Sequence, residues 1–152
     1  MEPEVLRIRV DVERPLSTGA TPAGEIRVIP FRGGSFEGSF EDVELCGRLL
    51  PGGSDWQRVR DDDVVEIRAH YMLETDAGET IEVISEGLRS ASREVLARLA
   101  AGEEVAPDAY YFRTFIRLAT ASERLAHMNH RLFFGVGVRR PRGVEIRVYP
   151  LP

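Results

Sequence analysis

The sequence predicts an all-β antiparallel domain, a sandwich or a barrel, with one inserted helix. Three observations predict it. Apolar and polar residues alternate with a period of two through most of the chain, glycine- and proline-containing breakers separate these runs at short intervals, and one stretch switches to helical spacing. The length of 152 residues fits a single domain, 1–152, with a core that needs no disulfide.

Leu6, Ile8, Val10 and Val12 alternate with Arg7, Arg9, Asp11 and Glu13, which describes a strand with one wet face. The same alternation recurs at Ile26-Val28, at Val43-Leu45 and at Val65-Ile67-Ala69-Tyr71-Leu73. It continues at Ile81-Val83, at Leu132-Phe134-Val136-Val138 and at Val144-Ile146-Val148. Turns are expected at Arg32-Gly33-Gly34-Ser35, Pro51-Gly52-Gly53-Ser54, Asp76-Ala77-Gly78-Glu79 and Pro141-Arg142-Gly143, where each breaker tolerates positive φ or fixes it near −65°. Residues 91–101 carry Val95, Leu96 and Leu99 on one helical face, with Ser92 suited to the N-cap and Gly102 to the stop; a loop from Glu103 to Asp108 follows.

All 20 basic side chains are arginines, and the absence of lysine excludes Schiff-base catalysis, class I aldolase chemistry and a P-loop. A net charge of −5 argues against a nucleic-acid partner. Cys46 is the only cysteine, expected as a small buried or half-buried strand residue, and its solitude suggests a reducing compartment. The start Met1-Glu2-Pro3-Glu4 lacks the positive charge of a signal peptide, and no apolar run approaches the roughly 20 residues of a membrane helix. A cytoplasmic protein with no membrane partner is expected.

Most polar residues read as wet strand faces. Asp61-Asp62-Asp63 reads as a solvated turn, lacking the ligand spacing of a calcium loop. His127 and His130, with His70 as a third ligand, would make a zinc site only if the fold assembled them; surface or pocket histidines are the simpler reading, and no metal is expected. Gly135-Val136-Gly137 has no helix after it and is no dinucleotide loop. Asp55 stands beside the only tryptophan, Trp56, and the only glutamine, Gln57, and is either a turn-forming aspartate or a catalytic one. Tyr110 to Arg117 places Arg113 and Arg117 on the same side of a strand that also carries Tyr111; inside, they donate to a ligand, and outside they are surface charges. Asn129, the only asparagine, is either a turn residue or a ligand donor.

Several segments together resemble a family of small bacterial and fungal barrels, domain of unknown function 3237. They are Gly19-Ala20-Thr21-Pro22-Ala23-Gly24-Glu25, Ile29-Pro30, Gly33-Gly34-Ser35-Phe36-Glu37-Gly38, and Gly47 through Trp56. The match continues at Thr75-Asp76-Ala77-Gly78, Tyr110-Tyr111-Phe112-Arg113-Thr114, Thr120, Asn129 and Val148-Tyr149. The resemblance implies an antiparallel β-barrel of the lipocalin- or streptavidin-like kind with an interior cavity, and some relatives are associated with cofactor-free cyclisation or isomerisation. The chain departs from the family pattern at Arg68 and His70, at Ala77 and Ser85, and at Leu125 and His127.

The function expected from these residues is a small-molecule-binding barrel acting without a cofactor on an aromatic or polyketide-like metabolite. Isomerisation, cyclisation or elimination would proceed by proton transfer, with Asp55 or His70 as general acid/base. Arg113 and Asn129 would hold an oxygen that becomes negative, while Trp56, Tyr71, Tyr111, Arg117 and His127 would contact the ligand. The alternatives are a carrier or sensor barrel without turnover, and a self-associating homo-oligomeric scaffold.

Overall fold

The computed structural model describes residues 2–152, of which 61% lie in strands of a closed antiparallel barrel. The strands are β1 (Leu6–Val12), β2 (Leu16–Thr21), β3 (Gly24–Phe40), β4 (Val43–Leu49), β5 (Ser54–Val59), β6 (Val64–Thr75) and β7 (Thr80–Ser90), then β8 (Tyr111–Thr120), β9 (Phe133–Arg140) and β10 (Gly143–Pro150). One helix, α1 (Arg93–Ala100), joins β7 to β8. The ring runs β1-β10-β9-β8-β7-β6, then β4 and β5, then β3, which pairs back onto β1. It has eight positions because β4 and β5 share one of them end to end. β2 lies on β3 beyond β1 and extends that strand into an exposed hairpin.

The period-two alternation places the walls as read from the sequence on β1, β6 and β10: Leu6, Ile8 and Val10, then Val65, Ile67, Ala69, Tyr71 and Leu73, and Ile146 and Val148 are all buried. The helix is capped as expected. Ser92 Oγ accepts from the Val95 N–H at 3.2 Å, and Gly102, at φ 79°, takes the left-handed conformation that ends the helix. Leu99 is buried, so α1 lies against the barrel end rather than in solvent.

Four expectations need correction. Arg32-Gly33-Gly34-Ser35 is not a turn. It lies inside β3, at the point where the strand leaves β5 and takes β4 as its neighbour, and the β1 register shifts there between Asp11 and Val12. On the same strand Ile26 and Val28 pair across to Arg58 and Trp56 on the outer side, while Ile29 and Phe31 face inward. On β9 the inward set is Phe133, Gly135, Gly137 and Arg139, because Phe133 fills the core and Phe134 stacks on Tyr149 outside, ring centroids 5.2 Å apart. Finally, Cys46 on β4 is exposed, its thiol donating to Asp76 Oδ2 at 3.2 Å.

The interior divides by end. Toward the 3-10 turn Ala126–His130, the rings of Phe40 and Phe133 meet edge-on at 5.4 Å, and Phe36, Leu49, Leu73, Leu125 and Met128 are fully or almost fully buried around them. Toward α1 the wall includes side chains that carry charge.

Candidate functional site

A cavity of about 190 Å³ opens in the α1 half of the barrel. Its apolar lining includes Ile29, Phe31, Ile67, Phe112 and Ile146, and its polar lining includes Asp55, Gln57, Tyr71, Ser85, Arg89 and Arg139. Each polar residue arrives by parity on its strand. Asp55 and Gln57 flank Trp56 on β5, so both point inward while the indole points out. Ser85 and Arg89 continue the inward register of Ile81 and Val83 along β7. Arg139 ends the inward row of β9 that begins at Phe133. The two β9 glycines make room for this wall: a Cβ on Gly137 would lie 2.5 Å from the Phe112 ring, so that position admits no side chain.

Asp55 is held from two sides. The Gln57 amide donates to its Oδ2 at 2.9 Å, and the Arg68 backbone N–H donates to its Oδ1 at 3.0 Å. Burial nonetheless dominates and raises its pKa above the ordinary aspartate value, opposed by these two donors and by the charges of Arg89 and Arg139. Arg89 lies over the Phe112 ring, 5.6 Å from its centroid, and burial, together with the charge of Arg139, pulls it down to about 10. Arg139 is lowered by burial too, and its backbone N–H donates to the Tyr110 hydroxyl at 2.9 Å. Desolvation drives Tyr71 far above the usual phenol range, so it is a neutral hydroxyl. Ser85 Oγ donates to Thr114 Oγ1 at 2.9 Å, which satisfies that pair internally.

Four buried polar atoms of the cavity wall have no partner among the described residues: Arg89 Nε, Arg139 Nε, Tyr71 Oη and Gln57 Oε1. Buried polar groups are ordinarily paired, and each that is not costs about 1–3 kcal/mol. Two of these atoms are donors only, one is an acceptor only, and the phenol can be either.

Of the residues singled out from the sequence, Asp55 and Tyr71 line this cavity. The others do not. His70 follows inward Ala69 and precedes inward Tyr71, so it points outward, where its Nε2 lies 2.8 Å from Glu82. Arg113 and Arg117 share the outer face of β8; Arg113 lies over the exposed Tyr111 ring at 5.4 Å and donates to its neighbour's carbonyl, the Phe112 oxygen. Trp56 is about half exposed on the outer wall. Asn129 pins the 126–130 turn to the end of β8, accepting from the Thr120 N–H at 2.8 Å and donating to the Thr120 carbonyl at 2.9 Å. His127 packs on Phe40, centroids 4.9 Å apart, at the end of the barrel away from the cavity. With His70 on the outer wall, the three histidines do not converge, and the described residues hold no cluster of metal-ligand type.

Sequence reasoning missed Arg89, Arg139 and Ser85. For Arg89 and Ser85 the signal was present, since the parity of Ile81 and Val83 runs straight through both.

Fold and cavity together define a class: a small closed antiparallel barrel whose interior is apolar at one end and studded with unpartnered polar groups at the other. The chain belongs to the family described as protein of unknown function DUF3237, which it matches over residues 3–151. A UPF0311 protein of Clostridium acetobutylicum is 32% identical over 149 residues, 97% of this chain and 92% of that one. A crystal structure of a beta-barrel like protein from Acinetobacter baumannii superposes with a TM-score of 0.83 at 33% identity, covering 100% of this chain and 96% of that one. An enzyme from Penicillium herquei has a TM-score of 0.69 over 98% of this chain and 94% of its own, and at 14% identity that likeness concerns the fold alone. No helix among the described residues is long and apolar enough to cross a membrane.

Proposed function

We propose that the barrel acts on a small aromatic or polyketide-like molecule bearing a carbonyl or carboxyl group, by acid–base proton transfer without a cofactor: isomerisation, cyclisation or elimination. The observation that carries this reading is Asp55, a carboxyl buried in the cavity wall and biased by burial toward its neutral form. A carboxyl tuned upward from the ordinary range donates and accepts a proton near neutral pH better than one left in water. Gln57 fixes its orientation. Arg89 and Arg139, rather than Arg113 and Asn129, hold the oxygen turning negative, in a buried wall where positive charge is most effective. Tyr71 contributes a neutral hydroxyl at the same surface.

A second reading is a carrier or sensor with no turnover. It is favoured by the fact that both Asp55 oxygens already accept hydrogen bonds, as in a fixed recognition element. One experiment separates the two. Candidate aromatic and polyketide-like carbonyl compounds are incubated in D₂O with wild type, Asp55→Asn and His70→Gln, and deuterium incorporation is followed by mass spectrometry. The catalytic reading predicts exchange in wild type and His70→Gln and a loss of about 10²–10⁴-fold in Asp55→Asn. Compounds that bind wild type without any exchange would leave only the carrier. The lone exposed Cys46 fits a reducing, cytoplasmic setting.

A further inference from the structure

We propose that the molecule this cavity takes is a hydroxylated carboxylate no larger than one aromatic ring, with its carboxylate on Arg89 and Arg139 and its hydroxyl on Gln57. The proposal rests on reading the cavity as the ligand site and deepens it by naming the ligand's charge, size and donor pattern.

Charge comes first. Arginines Arg7, Arg27, Arg131 and Arg147, each only about a quarter to a third exposed, all pair with a glutamate at 2.8 to 3.3 Å. Arg89 and Arg139, which face the cavity, make no ion pair among the described residues, and the Nε of each is buried without an acceptor. Two acids line the cavity: Asp55 has its oxygens taken by Gln57 and the Arg68 N–H, and Glu13, exposed to solvent, makes no ion pair with either arginine. Two guanidiniums in an apolar wall require an anion from elsewhere, since an unpaired buried charge costs several kcal/mol. A carboxylate meets this demand: its two oxygens accept from two forks at once.

The second constraint is the opposite polarity. Gln57 Oε1 is an acceptor without a donor, because its own amide nitrogen is spent on Asp55. A ligand that satisfied the arginines alone would leave this oxygen stranded. The ligand must therefore carry an O–H or N–H as well, with the Tyr71 hydroxyl free to accept or donate beside it.

Size is the third constraint. A cavity of about 190 Å³ compares with the roughly 150 Å³ that holds one benzene. One ring with a carboxylate and a hydroxyl fits; two fused rings with the same groups do not. The wall favours a ring, since Phe31, Tyr71 and Phe112 line it, the first two edge-on at 5.4 Å.

The test uses the intact chain and four probes in calorimetry: 4-hydroxybenzoate with its 3-hydroxy isomer, benzoate, 4-hydroxybenzamide and 6-hydroxy-2-naphthoate. The better hydroxybenzoate isomer is expected to bind most tightly, benzoate about tenfold more weakly for the lost hydrogen bond, and the amide about a hundredfold more weakly for the lost charge. The naphthoate is expected not to bind. Arg89→Met should lose hydroxybenzoate about a hundredfold while keeping the amide's affinity; if that variant does not fold, Arg139→Met carries the same measurement. An amide that binds as well as the acid, a naphthoate that binds as well as the single rings, full affinity in the arginine variants, or no binding by any probe would each overturn the proposal. None of these outcomes touches the deuterium-exchange result, which decides the proton-transfer reading separately.

Discussion

At the end of the barrel closed by the 126–130 turn, Phe40 and Phe133 meet edge-on and Phe36 and Met128 are fully or almost fully buried, whereas at the α1 end Asp55, Gln57, Tyr71, Arg89 and Arg139 line a cavity. One barrel builds both, and the same period-two rule supplies both sets of side chains. One end contributes apolar burial, which stabilises. The other leaves four polar atoms unpartnered, which destabilises unless something binds there. In this barrel the aromatic core and the polar cavity wall occupy opposite ends.

The contrast can be broken most forcefully from the packed end. Phe133→Ala removes a fully buried ring and should lower unfolding stability by about 3–5 kcal/mol in urea titration, which would leave the domain marginal. A loss below about 1 kcal/mol would mean that this end is not the stabilising one.

A pH series sharpens the comparison, because the two ends respond with opposite sign. Near the packed end Glu79 accepts from Arg124 at 2.6 Å, from Thr75 at 3.0 Å and from Ser122, and these contacts draw its pKa down from 4.5 to about 2. A lowered carboxylate contributes stability that is present above its unfolded value and lost as pH falls through the folded one, so its share disappears between about 4.5 and about 2. Glu79→Gln should remove that acid limb, with a neutral-pH loss of about 1–2 kcal/mol. Asp55 runs the other way. Its raised pKa means that the fold favours the protonated form, so stability falls as pH rises from the ordinary aspartate value of about 3.9 through the folded one. Asp55→Asn should flatten that limb and make the protein more stable at neutral pH, while lowering exchange activity by about 10²–10⁴-fold. An unchanged pH profile in both variants would contradict the assignment.

Smaller effects complete the contrast. Asn129→Ala should lose about 1–2 kcal/mol, because Asn129 makes two backbone hydrogen bonds to Thr120, and should leave ligand affinity unchanged. Tyr71→Phe should change stability by less than about 1 kcal/mol or raise it, since its hydroxyl has no partner to lose, and its effect should appear in ligand binding instead.

Much of this was legible in the residues. The apolar run Val65 to Leu73 dictates that Tyr71 is inside, and by the same parity that His70 is outside, so the alternation itself argues against a catalytic His70. Asp55 beside Gln57 was visible as an unusual polar pair, and the Ser92 cap and Gly102 stop were read with the helix they bound. What hid Arg89 and Arg139 was their own chemistry, because an arginine in an alternating strand reads as a wet face. Only the parity of Ile81 and Val83 speaks against that for Arg89, and on β9 adjacent Phe133 and Phe134 leave the parity ambiguous until packing decides it. Gly33-Gly34 reads as a turn in one dimension; the closure of the ring makes it the place where one long strand changes neighbours. Register and closure are long-range properties, and local propensity does not encode them.

The most direct measurement is the carboxyl titration of Asp55 itself, by ¹³C NMR on aspartate-labelled protein with Asp55→Asn to assign the resonance. The account predicts a midpoint above the ordinary aspartate value of about 3.9, set by burial in the cavity wall. A midpoint at or below that value would show a carboxylate ionised at neutral pH in the same wall as the two arginines, and would contradict a proton-transferring Asp55.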